Sequence, residues 1–183
     1  MLRGRELWLA ALAAIAITII YGIVVFLSRG IPAASDLFGH SLGIFGFILM
    51  LMTETLYSLR KRARSARWGR MSSWLQFHIF TGLVGPYMVL LHTSWKFNGL
   101  AGVTMLFTVI IVISGFIGRY IYTRVPRTLD GTVIEGAVPE EILRRTRRLM
   151  ALWHTIHIPI GMALFTAAFI HIGAALYYAT LLK

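Results

Sequence analysis

Long apolar runs alternate with short polar or basic segments along the chain, and this pattern predicts five membrane-spanning helices. A helix needs about 20 mostly apolar residues to cross a bilayer. Five segments meet this requirement, at about 6–28, 37–59, 73–95, 99–122 and 151–181. An expected cytoplasmic loop at about 124–149 separates the last two. We therefore expect an all-α integral membrane protein in which residues 1–183 form a single domain, a bundle of five transmembrane helices.

The composition is also that of a membrane protein. Of the 183 residues, 57% are hydrophobic and 14% are charged, and the mean hydropathy is +0.74. The first apolar run is longer than the core of a secretory signal peptide, which spans about 7–15 residues. We expect this run to remain as the first helix, although its loss would leave a four-helix core.

The basic residues are grouped by loop, and this grouping predicts the orientation of the chain. The net charge of +11 could indicate a nucleic-acid partner, but no soluble face carries it, so we expect none. Fifteen basic residues flank one side of the predicted bundle, against three on the other, which are Arg29, Lys96 and Lys183. By the positive-inside rule the amino terminus is cytoplasmic and the carboxyl terminus lies outside. The expected location is a prokaryotic cytoplasmic membrane, with lipid as the surrounding partner.

Four histidines lie in two predicted helices with identical spacing. His78 and His92 are 14 residues apart in the third helix, and His157 and His171 are 14 apart in the fifth. Both helices read W-x3-H-x3-G-x9-H. Fourteen residues make nearly four helical turns, so the two rings of each helix share a face, about 21 Å apart along the axis. The third and fifth helices run in the same direction, which brings His78 level with His157 and His92 level with His171.

Two histidines that face each other across a helix bundle can bind one haem iron axially. The chain has no cysteine, which excludes thiolate ligands and covalent haem attachment through C-x-x-C-H. We therefore expect two b haems, an inner one on His78 and His157 and an outer one on His92 and His171. A site for a transported metal ion is the alternative, but acidic residues are scarce and the four histidines fall at two depths.

Several further residues are candidates for contact with these cofactors. Gly82, Gly85 and Gly161 would let a flat macrocycle approach the backbone, although close helix packing explains such glycines equally well. His154 and His40 are weaker candidates, for a haem propionate or, in the case of His40, a quinone pocket.

Two charged residues in the predicted spans add candidate roles. Glu54 is an acid within the second helix and a candidate proton acceptor for quinol oxidation. Instead of accepting a proton, Glu54 could form an ion pair with Arg119. Arg119 could instead contact a haem propionate.

The paired H-x13-H helices at positions three and five resemble the membrane domain of the ferric-reductase-like dihaem b cytochromes, and also the cytochrome b family of quinol-oxidising complexes. The resemblance covers about residues 36–181 and depends on His78, His92, His157 and His171. It implies that these histidines are the ligands of two haems that conduct electrons across the membrane. Ferric-reductase-like domains usually have a sixth helix, and many continue into a flavin and nicotinamide domain; the present sequence has neither, nor a G-x-G-x-x-G motif.

The expected function is therefore that of an electron-transfer subunit of an oxidoreductase complex, rather than a complete enzyme. It would connect a quinol pool or a redox partner on one side with an acceptor on the other. The partner would be a flavoprotein, an iron–sulfur protein or a multihaem cytochrome. Two alternatives stay open: a quinone-binding anchor subunit of a larger oxidoreductase, and a histidine-based metal-ion transporter without haem.

Overall fold

A computed structural model describes residues 4–62, 69–126, 132–134, 136 and 138–181 and contains five α-helices in these ranges. They are α1 (Arg5–Ser28), α2 (Leu37–Arg62), α3 (Met71–His92), α4 (Gly99–Thr123) and α5 (Glu140–Leu181). All five are long and apolar enough to cross a membrane. The prediction of an all-α integral membrane protein with five spans is confirmed.

The fifth helix begins at Glu140, well before the expected start at about residue 151. Pro139 directly precedes it, and Glu140 and Glu141 place negative charge at the positive end of the helix dipole. Neither glycine nor proline interrupts the residues between this start and the membrane span. The helix therefore continues unbroken into the span, so the expected loop at 124–149 is shorter than predicted. Residues 127–131 of that loop lie outside the described part.

The third helix ends at His92, earlier than the expected end at about residue 95. Ser94 and Trp95 have φ angles of 50° and 62°, which are left-handed and incompatible with a continuing α-helix. Pro86 in α3 and Pro159 in α5 end neither helix. The 14-residue histidine interval is thus helical throughout in both cases.

The helices pack as two hairpins, α2 with α3 and α4 with α5. The first hairpin is close because Gly46 and Gly85 face each other: a Cβ on either would lie 2.9 Å from the carbonyl oxygen of the other. Gly85 therefore serves close helix packing, the alternative that stayed open for these glycines, and its contact with a cofactor stays a prediction. The two hairpins meet through α3 and α4, whereas α3 and α5 are not among the closely packed pairs in the described part of the chain.

The first helix packs mainly against α3. The Thr18 and Tyr87 hydroxyl oxygens lie 2.5 Å apart in this contact. Much of the remaining surface of α1 carries exposed apolar side chains such as Trp8, Ile15 and Ile19. In an integral membrane protein such a surface faces lipid.

Candidate functional site

A cavity of about 630 Å³ lies between α3 and α5 and is also lined by α2 and α4. This volume falls within the range of about 300–1,000 Å³ that is usual for small-molecule and cofactor sites. His78 of α3 and His157 of α5 both line it. The structure therefore brings together the two histidines that the sequence pattern paired at this level.

The ring of His78 is held by a hydrogen bond to α2. Its Nδ1 lies 2.9 Å from the carbonyl oxygen of Thr53. A carbonyl oxygen can only accept, so Nδ1 carries the hydrogen and the Nε2 lone pair of the neutral ring is free. The ring of Tyr57 lies 4.9 Å away, centroid to centroid. This arrangement leaves His78 in the tautomer that metal-ligating histidines usually show when a backbone carbonyl orients them.

The ring of His157 is held by α4. Its Nδ1 lies 2.9 Å from the Ser114 hydroxyl, and the Trp153 ring stacks on it at 4.4 Å with an interplanar angle of 28°. Trp153 is itself fixed because its Nε1–H donates to the Ser114 carbonyl at 2.8 Å. The indole also lies against Gly118, where a Cβ would be only 2.3 Å from it. Sequence reasoning singled out neither Ser114 nor Gly118, since both are ordinary small residues of a membrane helix.

The second histidine level has a similar contact to α2. The Nδ1 of His92 lies 2.8 Å from the carbonyl oxygen of Gly39, so this ring also presents its Nε2 lone pair. Gly43 makes room for it, because a Cβ there would lie 2.9 Å from the ring. His171 is near enough to His92 to interact electrostatically. The exposed ring of His40 lies 6.4 Å from that of His92, centroid to centroid.

Two of the predicted glycines open onto the cavity. Gly161 is buried, yet a Cβ on it would meet nothing closer than 3.9 Å, at Glu54 Oε2 and Ile111 Cδ1. Gly82 also lines the cavity, where a Cβ would lie 3.3 Å from the Thr53 methyl group. Both glycines follow a cavity histidine by one turn, as the repeated motif requires.

Aromatic side chains of α2 and α5 meet between the two histidine levels. The ring of Phe47 lies 6.2 Å from that of Phe165 and 5.4 Å from that of Phe169, the latter edge to face. Phe165 also lines the cavity. These rings form an apolar contact between the two histidine levels.

The charged residues at the cavity do not form the ion pair between Glu54 and Arg119 that was one alternative. Arg119 and Glu54 both line it, but Arg119 pairs with Glu6 of α1, Nη2 to Oε1 at 2.9 Å. The alternative of an ion pair between Glu54 and Arg119 is therefore wrong. Glu54 is exposed towards the cavity, whereas Glu6 is the buried acid, at 2% exposure. No sequence pattern singles out Glu6, because an acid in the first turn of a helix is common.

His154 lines the same cavity but is held by its own helix. Its Nδ1 lies 2.8 Å from the carbonyl oxygen of Met150, and its ring packs edge to face against Trp153. His157 is the ring that the Ser114 contact directs across the cavity. The two neighbouring histidines thus differ in their Nδ1 partners: that of His154 belongs to its own helix, and that of His157 belongs to α4.

Within the described ranges, no three histidine or acidic side chains converge in a way that could hold a bare metal ion. The histidines occur instead as two separate pairs. Two protein ligands are few for a bare transition metal, but they suffice where a macrocycle supplies the remaining donors.

The orientation of the rings predicts their tautomers. In ligand-free protein, at a pH where the rings are neutral, His78 and His92 should carry their hydrogen on Nδ1, because each faces a carbonyl oxygen. Solid-state NMR of protein with ¹⁵N-labelled histidine in lipid measures this directly, with His78→Asn and His92→Asn providing the assignments. An Nε2–H tautomer at either position would contradict the geometry.

Comparison of the chain with protein-family models, with curated proteins and with solved structures finds no match in any of the three. The function must therefore be inferred from the cavity and its histidines. The strongest observation is a cavity of cofactor size that is lined by two imidazoles, each with its Nδ1 held by a neighbouring helix.

Proposed function

We propose that this protein is a dihaem b-type cytochrome, the electron-transfer subunit of an oxidoreductase. His78 and His157 would hold one haem, and His92 and His171 would hold the other. The observation that carries the proposal is the pairing of His78 and His157 across a cofactor-sized cavity, with each Nδ1 engaged by the neighbouring helix. When Nδ1 donates its hydrogen, the Nε2 lone pair is left for iron; the Thr53 carbonyl requires this of His78, and the Ser114 hydroxyl can accept it from His157.

The lining of the cavity supports an apolar cofactor such as a haem. Its walls are mostly apolar residues, such as Met50, Leu164 and Ile111, and Gly161 leaves open space beside His157. Apolar walls exclude water from the site, and absence of a Cβ permits close approach to the backbone.

The protein's own contribution is to hold and orient the ligands. The Thr53 carbonyl and the Ser114 hydroxyl fix the ring planes of the two cavity histidines, and Trp153 packs on one of them. When bound, each haem supplies one-electron chemistry at iron, cycling between the ferric and ferrous states. The paired levels on α3 and α5 would place the two haems one above the other along the membrane normal.

The alternative of a histidine-based metal-ion transporter has less support. Such a site needs three or more protein donors around one ion. No such group occurs in the part of the chain that the structure describes. The observed two-by-two arrangement fits haem better.

Electrons would enter from membrane quinol or from a redox partner such as a flavoprotein, an iron–sulfur protein or a multihaem cytochrome. The quinol route is favoured by Glu54, whose carboxylate faces the cavity without the expected pairing to Arg119. A carboxylate beside a haem could accept the proton that quinol releases on oxidation. With the cytoplasmic amino terminus that the charge distribution predicts, this cavity lies on the inner side of the membrane.

Each histidine pair should hold one haem independently. We expect purified protein to contain two haems with reducible b-type Soret and alpha bands. His157→Ala should reduce the content to one haem per chain, His171→Ala should also leave one, and the double variant none. Pyridine haemochrome assays against protein concentration measure this ratio.

His154→Ala is the matched control for His157→Ala, because it removes an imidazole from the same turn and the same cavity but should retain two haems. Absence of haem from the native protein expressed with adequate haem supply would refute the cytochrome proposal. A loss of haem in His154→Ala equal to that in His157→Ala would refute the assigned ligands.

The open space beside Gly161 should be needed by the cofactor rather than by the fold. A Cβ at Gly161 meets no protein atom closer than 3.9 Å, so we expect Gly161→Leu to extend its side chain into the cavity, to fold and to bind only the haem of the other level. Gly173→Leu is the control, since a Cβ at that glycine also meets nothing within 4 Å but lies away from the cavity. Gel filtration and haem content together distinguish loss of haem from misfolding.

Quinol-dependent reduction should depend on the Glu54 carboxylate. Glu54→Gln should slow haem reduction by a short-chain quinol by about 10²–10⁴-fold, the usual contribution of a positioned general base. Reduction by dithionite, which transfers no such proton, should be unchanged. Glu141→Gln, an exposed acid of α5, is the control for a change in net charge. An unaffected quinol rate in Glu54→Gln would favour a protein donor.

A further inference from the structure

We propose that Glu6 and Arg119 form a charge pair that sets the electrostatic potential of the cavity, and that α1 thereby takes part in the function of the four-helix core. The inference depends on the proposed function, because the potential it describes is that of the haem held by His78 and His157. It gives Glu6 the role of a positioning residue, acting through Arg119.

The pair joins the beginning of α1 to the last turns of α4. Arg119 donates through both Nε and Nη2 to the same carboxylate oxygen, Glu6 Oε1, at 3.2 and 2.9 Å. The Glu6 side chain is 1% exposed and that of Arg119 is 21% exposed. Two donations from one planar guanidinium fix its direction as well as its distance.

The two charges lie at different distances from the site. Arg119 lines the cavity, and its neighbour in sequence Gly118 lies under the Trp153 ring that stacks on His157. The cavity lining comes from α2 to α5 and includes no residue of α1, so Glu6 lies behind the guanidinium. The cavity therefore experiences mainly the positive end of the pair.

The negative end is held firmly in place. Glu6 lies in the first turn of α1, where the helix dipole favours negative charge. Its other oxygen, Oε2, is buried without a hydrogen-bond partner among the described residues. Among the described residues, Arg119 and the amino-terminal end of α1 are thus the groups that compensate this carboxylate. Loss of either charge of the pair should therefore change the electrostatic potential in the cavity. In a low-dielectric environment such a field acts strongly on a nearby redox centre.

The consequence is a pair of shifts of opposite sign. A nearby positive charge stabilises the reduced, less positive form of a haem and raises its midpoint potential. Glu6→Gln leaves the Arg119 charge uncompensated, so the potential of the cavity haem should rise. Arg119→Gln removes the nearer charge, so the potential should fall. Arg119→Lys keeps the charge and should retain a potential close to that of the native protein.

The experiment is an optical redox titration of purified full-length protein, native and variant, in one detergent. The cavity haem is identified as the one that His157→Ala loses, and the haem of the His92 level is the internal reference. We expect the opposite shifts in the cavity haem, with a smaller change or none in the reference haem. Glu141→Gln, an exposed acid outside the cavity, should shift neither.

A purely structural pair would give a different result. It would lower the thermal stability of both variants while the two haems kept their potentials, or it would shift both potentials in the same direction in both variants. Either outcome would overturn the inference and leave the cytochrome proposal intact, whereas absence of haem from the native protein would refute both.

Discussion

The hydrogen bonds from the imidazoles of α3 to backbone carbonyls of α2 are the constraint on which the candidate site depends. His78 faces the Thr53 carbonyl and His92 faces that of Gly39. These two acceptors are 14 residues apart, as are the two histidines, because antiparallel helices of equal rise keep the same interval in register. One helix thus orients both rings of its neighbour through its main chain, and the close approach at Gly46 and Gly85 keeps that register fixed.

Glycine has two separate roles in this bundle, and they explain where the helices touch and where they do not. At Gly46, Gly85 and Gly118 a Cβ would clash with a neighbouring helix or ring, so these residues permit contact. At Gly161 there is open space in front of a buried backbone. Contacts of the first kind hold each hairpin together, while Gly161 leaves open space beside the cavity. The role of a glycine in a membrane helix therefore cannot be assigned until the atoms opposite it on the neighbouring helix are known.

Much of this fold could be predicted from the sequence, but the supporting contacts could not. The length of the apolar runs gave the five helices, and the repeated W-x3-H-x3-G-x9-H motif gave the residues that face each other across the cavity. The fifth segment was placed from about residue 151 because residues 140–150 are too charged for a span, although Pro139 with Glu140 and Glu141 is typical of a helix start and nothing after them breaks a helix. Ser114 and Glu6 were missed because their roles arise from contacts between helices distant in sequence. The local sequence pattern predicts a helix and which of its residues share one face. The hydrogen-bond partner of each polar atom depends on how the helices pack together, which the local pattern does not contain.

The two hairpins use the same histidine motif but hold it by different means, and this difference affects how each can vary. The ring of His78 depends on a backbone carbonyl, which any residue at position 53 would supply provided that it leaves the helix intact. The ring of His157 depends on the Ser114 hydroxyl and on the stacked indole of Trp153. That indole in turn depends on the Ser114 carbonyl, to which it donates, and on Gly118, where a Cβ would clash with it. A hydroxyl can donate as well as accept, so Ser114 can engage either tautomer of His157, whereas Thr53 can engage only one protonation state of the His78 nitrogen. The α4–α5 hairpin thus needs particular side chains to hold its histidine but accepts either tautomer of that ring. The α2–α3 hairpin needs no particular side chain at position 53 but accepts only one tautomer. The contact through the main chain therefore leaves the Nε2 lone pair of His78 exposed in one direction, whereas the contact of His157 is compatible with either tautomer.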